Sequence, residues 1–135
     1  MVTWGTGNFD SDGAGDYLDS LMKQLIKTIE ACLGGKYVMY PSEDDDDILG
    51  ACGEEMLMPS VDVLALLCEH YAMPLPVTER IVKEWKAQYL RNFDRHINHY
   101  ETKPDFKIRR RRVIEATFDR LIGLAHDWDL VRSAE

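Results

Sequence analysis

The chain has 135 residues, 45% of them hydrophobic and 30% charged, and a formal net charge of −8. That length suits one domain, which buries roughly two thirds of its unfolded surface and needs neither metals nor disulfides to hold a core. An acidic balance disfavours nucleic acid; no apolar run approaches the ~18 residues of a membrane span, and the N-terminus has no basic region followed by a long apolar stretch, so no leader is expected.

The chain opens on Trp4, Gly5, Gly7 and Phe9, two aromatics around two glycines that suit a tight docking turn. Asp10 and Asp12 follow, placed to cap N–H groups and to sit at the positive end of a helix dipole. The stretch from Trp4 through Gly5, Gly7, Phe9, Asp10, Asp12, Ala14, Asp16 and Tyr17 to Leu18 resembles the N-terminal signature of the DUF4259 family, small bacterial proteins of unknown function. The resemblance covers about fifteen residues, implies a helical fold and brings no catalytic residues.

Ala14, Tyr17, Leu18, Leu21, Leu25, Ile29 and Cys32 recur at helical spacing, and Gly34-Gly35 stops that helix. Residues 36–40 read as extended or irregular, with a turn at Pro41-Ser42. A second helix is expected over 44–57, its middle filled by Gly50, Ala51, Cys52 and Gly53, small enough for another helix to approach closely, and broken by Pro59. Ser60 then caps a third helix to about residue 71, apolar on most sides and therefore central. A fourth, 77–100, carries the stripe Val82, Trp85, Tyr89, Phe93, His96 and Tyr100. The last, 106–127, turns Ile114, Phe118, Leu121, Ile122, Ala125 and Trp128 inward. No segment alternates long enough to argue a sheet. The expected fold is all-α, a single-domain antiparallel bundle of four to five helices over 1–135, with the signature segment 1–12 docking on it.

Charge is unevenly spread. Residues 1–72 hold fourteen acids against three lysines, a balance of −11, and residues 73–135 hold thirteen Lys and Arg against ten acids, a balance of +3. The like-charge run Glu43, Asp44, Asp45, Asp46 and Asp47 reads either as a solvated helix start or as a docking patch for a basic surface. Asp10, Asp12, Asp16 and Asp19 add to its field; their spacing fails the calcium loop, which wants a glycine at position six and a glutamate at twelve. Arg109 to Arg112 oppose the dipole of the helix they open, which calls for an acidic neighbour, and the 44–47 run is the expected one. One of Glu54 and Glu55 is expected to face inward and meet an arginine or a backbone partner. His96 and His99 share a helix at metal-ligand spacing, with His70, Cys68 or His126 as the third ligand they would need. The three cysteines, Cys32, Cys52 and Cys68, read as buried reduced thiols.

No nucleophile elbow or phosphate loop is present, and no cofactor is implied. The expectation is a cytoplasmic, non-enzymatic acidic binding protein of the inhibitor or immunity type. It would occlude the basic surface of a toxin or enzyme through Glu43 to Asp47. The alternatives are a small metal-binding helical enzyme using His96 and His99, and a homo-oligomeric scaffold that buries the surplus apolar face of the third helix.

Overall fold

In a computed structural model, described over residues 5–8, 11–38 and 46–134, the first helix α1 spans Asp12–Leu33. Ser11 stands just before it in extended conformation and its hydroxyl accepts the Ala14 N–H at 3.2 Å. The cap is therefore Ser11 and not Asp12, which sits in the first turn; Asp10, Trp4 and Phe9 lie outside the described residues. Replacing Ser11 by alanine removes one satisfied N–H and is expected to cost about 1 kcal/mol, read as a shift in the denaturation midpoint. Leu18, Met22, Ile26, Ile29, Cys32 and Leu33 form the buried stripe, whereas Tyr17 and Leu21, placed on it by their spacing, fall at its edge and are 64% and 37% exposed. The chain leaves through Gly34, and Gly35 takes the left-handed φ of 75° that the following turn requires.

The second segment departs from expectation. Its helix begins at Leu49, runs Leu49–Leu57, and is a π-helix. The Gly53 N–H donates to the Ile48 carbonyl at 2.6 Å, five residues back, and the Met58 N–H donates to the Gly53 carbonyl. Each turn thus carries an extra residue. Pro59 does not break the chain's course. Leu57 and Met58 keep helical dihedrals, and Pro59 falls in the first turn of α2 (Met58–His70), where its missing N–H is tolerated. Ser60 is accordingly no cap; it lies inside α2 and is buried.

Thr78 caps α3 (Glu79–His96), accepting the Ile81 N–H at 3.3 Å. Val82, Trp85, Tyr89, Phe93 and His96 are buried as the stripe requires. Beyond His96 the chain tightens into a 3-10 turn, Ile97–His99, and this change of pitch swings Tyr100 outward to 55% exposure. The last helix, α4 (Pro104–Ser133), is longer than expected at both ends and has Pro104 in its first turn.

The four α-helices form an all-α bundle, with no strand among the described residues. α2 packs between α1 and α4, and α3 lies along α4, which gives the lateral order α1, α2, α4, α3. Tyr89, Phe93 and Phe118 are the largest fully buried side chains, the Tyr89 and Phe118 rings 6.0 Å apart. Cys32 and Cys52 are joined as a disulfide with Cα atoms 5.9 Å apart, which corrects the reading of three reduced thiols. The bond ties the end of α1 to the π-helix. Cys68 stays free and buried, its thiol donating to the Met73 carbonyl at 3.1 Å. Among the described residues no helix is long and apolar enough to cross a membrane.

Candidate functional site

The polar residues of the π-helix and of α3 and α4 meet in one seam. Glu54 accepts Arg110 Nε at 2.7 Å and Arg110 Nη2 at 2.9 Å, and the Tyr89 hydroxyl donates to the same carboxylate at 2.5 Å. The inward-facing glutamate and its arginine are thus Glu54 and Arg110. Burial pushes the Glu54 carboxyl up, but the Arg110 hydrogen bonds, the Tyr89 hydroxyl and the Arg110 charge together hold it below its ordinary range. Burial and the Glu54 hydrogen bond push the Tyr89 hydroxyl far up, so it stays protonated. Two glycines make this meeting possible. A Cβ on Gly53 would stand 2.9 Å from the Tyr89 ring and 3.0 Å from the Ile48 carbonyl oxygen, and one on Gly50 would run into the Tyr100 ring.

A second group pins the chain where it enters the π-helix. His96 Nε2–H donates to Asp46 Oδ1 at 2.7 Å and Arg95 Nη1 donates to Oδ2 at 3.0 Å. The His96 hydrogen bond, and the Arg95 charge after it, hold the Asp46 carboxyl below its ordinary range against a burial effect. The Asn92 side chain donates to the Asp46 carbonyl at 2.8 Å and accepts the Ile48 N–H at 3.2 Å. Asp47 Oδ1 accepts the Leu49 N–H at 2.9 Å, and Tyr100 donates its hydroxyl to Oδ2.

These contacts relocate the sequence candidates. Asp46 and Asp47 are engaged within the molecule, so they are not the unpaired carboxylates that a docking run needs; Glu43, Asp44 and Asp45 lie outside the described residues. The expected pairing of the 44–47 run with Arg109 to Arg112 is overturned for Asp46 and Asp47. Arg110 takes Glu54, and Arg111 takes Asp94 at 2.9 Å and also Glu115. The acidic neighbours that offset the helix dipole are therefore Glu54, Asp94 and Glu115. On α1, Asp19 pairs with Lys23 at 2.9 Å, while Asp16 is exposed and makes no ion pair among the described residues. The His96 and His99 rings are 6.1 Å apart, but His96 Nε2 is committed to Asp46. No group of three or more His, Cys, Asp or Glu among the described residues is placed to hold a metal.

What the sequence reading missed is a groove of about 370 Å³ between the π-helix and the α3–α4 connection, lined by Leu49, Gly50, Glu54, Glu55, Tyr100 and Phe106, with Ile97 and Glu101 completing it. Tyr100 and Phe106 are 55% and 49% exposed, and Asp47 is hydrogen-bonded at the Tyr100 end. Carboxylates around accessible aromatic faces suit a guanidinium or ammonium group, which gains both Coulomb attraction and a cation–π contact. Helical periodicity continued through residues 97–99 turns Tyr100 inward, and nothing in Ile97-Asn98-His99 forbids the α-turn that the 3-10 turn replaces.

Compared with family models, with curated proteins and with solved structures, the chain gives no match.

Proposed function

We propose that the chain works by binding a basic protein, as an acidic inhibitor or immunity-type partner that occludes a basic surface. The observation that carries this reading is the groove at Tyr100 and Phe106, with Glu55 and Glu101 on its rim, while Glu54 is tied to Arg110 and Asp47 to Tyr100. A lysine or arginine of the partner enters between the aromatics, and the surrounding carboxylates supply the steering field. The interior groups support binding over proton transfer. Glu54 is neutralised by Arg110, Tyr89 is held protonated, and burial raises the Cys68 thiol further from its thiolate.

Glu55 is exposed and makes no ion pair among the described residues, which makes it the clean probe. Capture from the source organism is expected to return a basic protein. Its purified form should bind the wild type with an affinity that falls as salt rises, and bind Glu55→Lys about tenfold more weakly, the equivalent of ~1.4 kcal/mol. Equal binding of both at low salt, with both chains folded, rejects the groove as the contact.

A further inference from the structure

We propose that the Cys32–Cys52 bond is a redox-set clamp on the π-helix. With the bond closed, the chain holds the wide turn that shapes the groove at Tyr100; with both cysteines as thiols, that turn loosens. The consequence for partner binding rests on the groove reading above, whereas the clamp itself does not.

The bond ties the last turn of α1 to the middle of the π-helix, and its Cα atoms, 5.9 Å apart, lie within the span that a disulfide bridges. Cys52 stands at the fork between two kinds of turn. The Ile48 carbonyl accepts the Cys52 N–H at 3.0 Å, four residues on, as in an α-helix, and the Gly53 N–H at 2.6 Å, five residues on. π-turns are rare and mostly single, so a run of 9 residues answers to what surrounds it. On the side of α3 and α4, Arg110 and Tyr89 hold Glu54, and Asn92 accepts the Ile48 N–H at the approach. On the side of α1 the covalent hold is the bond to Cys32.

Opening the bond displaces the segment. Bonded sulfurs stand about 2.05 Å apart, whereas unbonded ones need roughly the 3.5–4 Å of ordinary contact, so the thiols must separate by about 1.5 Å or more. Both cysteines lie in the core, 0% and 2% exposed, with no open space beside them to take up that distance. The next residue, Gly53, fits against Tyr89 without room for a Cβ, and Gly50 fits against Tyr100 in the same way. A shift at Cys52 is therefore passed to the two contacts that set the Glu54 seam and the groove.

Closure takes an oxidant of the disulfide class, such as oxidised glutathione. One cysteine thiolate attacks a sulfur of the oxidant and releases one glutathione thiol; the second cysteine then displaces the other glutathione from the mixed disulfide. Two electrons and two protons leave the cysteine pair, and the oxidant departs as two thiols. Because both sulfurs are buried, exchange runs through openings of the 49–57 segment. Cys68, whose thiol donates to the Met73 carbonyl, stays outside the pair.

Amide hydrogen exchange, read on the chain equilibrated in oxidised glutathione and in dithiothreitol, tests this. The oxidised chain should leave one thiol, Cys68, to titrate after unfolding, and the reduced chain all three. Amides of 49–57 should exchange about tenfold faster in the reduced chain, while those in the middle of α3 and α4 change by less than about twofold. Cys32→Ala cannot close the bond and should show the fast rate in both buffers; should it fail to fold, the two states of the wild type carry the comparison. Three titrating thiols after oxidised glutathione, or equal exchange of 49–57 in the two states, overturns the clamp. Equal acceleration through α3 and α4 also overturns it, since the bond is then a general staple of the fold. The experiment needs no partner, so its failure is separate from failure of the capture experiment on the groove.

Discussion

Replacing Gly53 by valine is expected to destabilise the protein by about 3 kcal/mol, measured by urea denaturation, while alanine at Gly123 is expected to be neutral or to stabilise by up to about 1 kcal/mol. The two glycines differ in what surrounds them. A Cβ at Gly123 meets nothing within 4 Å, so only helix propensity responds. A Cβ at Gly53 meets Tyr89 Cε2 at 2.9 Å, the Tyr89 hydroxyl at 3.0 Å and the Ile48 carbonyl oxygen at 3.0 Å. None of these can step aside. Tyr89 is fully buried with its hydroxyl held by Glu54, and the Ile48 carbonyl accepts the Cys52 and Gly53 N–H groups. Relief requires moving the π-helix off α3, which also opens the seam with Arg110. Gly50 is the control that separates crowding from backbone effects. The Cβ there meets Tyr100, an exposed ring at the end of a side chain that can rotate away, so Gly50→Ala should cost far less than Gly53→Ala.

The contrast between those glycines also marks how far the sequence could be read. Stripes within one helix were legible at their centres: Leu18 and Ile29 of α1, Tyr89 and Phe93 of α3, and Phe118 and Leu121 of α4 bury as their spacing requires, while Tyr17 and Leu21 at the edge of the α1 stripe do not. Helix ends written in backbone chemistry were legible too, as at Gly34-Gly35. The small residues 50–53 were correctly read as a place of close approach, yet the π-helix was not foreseen, because its wider turn answers to Tyr89, thirty-six positions away, and not to local propensity. Charge pairing failed for the same reason. Composition shows that acids and arginines must meet, but whether Arg110 finds Asp46 or Glu54 depends on which helix faces which. The groove at Tyr100 depends on a single change of pitch after His96, a tertiary outcome without a residue-level signature.

Arg110→Ala is expected to cost about 3 kcal/mol at neutral pH, whereas Arg111→Ala should cost no more than about 1 kcal/mol. Arg110 makes two hydrogen bonds to one carboxylate and Arg111 makes three to two carboxylates, so counting bonds would rank them the other way. Burial sets the order. The Glu54 and Arg110 side chains are only 29% and 24% exposed, and without Arg110 the carboxylate is left against the Tyr89 hydroxyl with no cation. Asp94, by contrast, is 53% exposed and resolvates when Arg111 is gone. The pH dependence gives an independent sign. In the wild type the Glu54 carboxyl sits below its ordinary 4.5, so its contribution is present above that value and is lost as pH falls through the lower folded one. The His96-held Asp46, lowered from 3.8, adds to acid unfolding in the same direction. Removing Arg110 reverses the sign for Glu54. Burial, the largest of its influences, then stands with only the Tyr89 hydroxyl against it, so the folded carboxyl prefers its proton and the variant gains stability as Glu54 is protonated. The difference between wild type and Arg110→Ala should therefore be larger at pH 7 than at pH 4, while the difference for Arg111→Ala stays small throughout. Denaturation midpoints for the three proteins at those two pH values decide it, and an Arg110→Ala penalty that does not shrink in acid would mean that packing of the arginine stem, and not its pairing with Glu54, holds α4 to the π-helix.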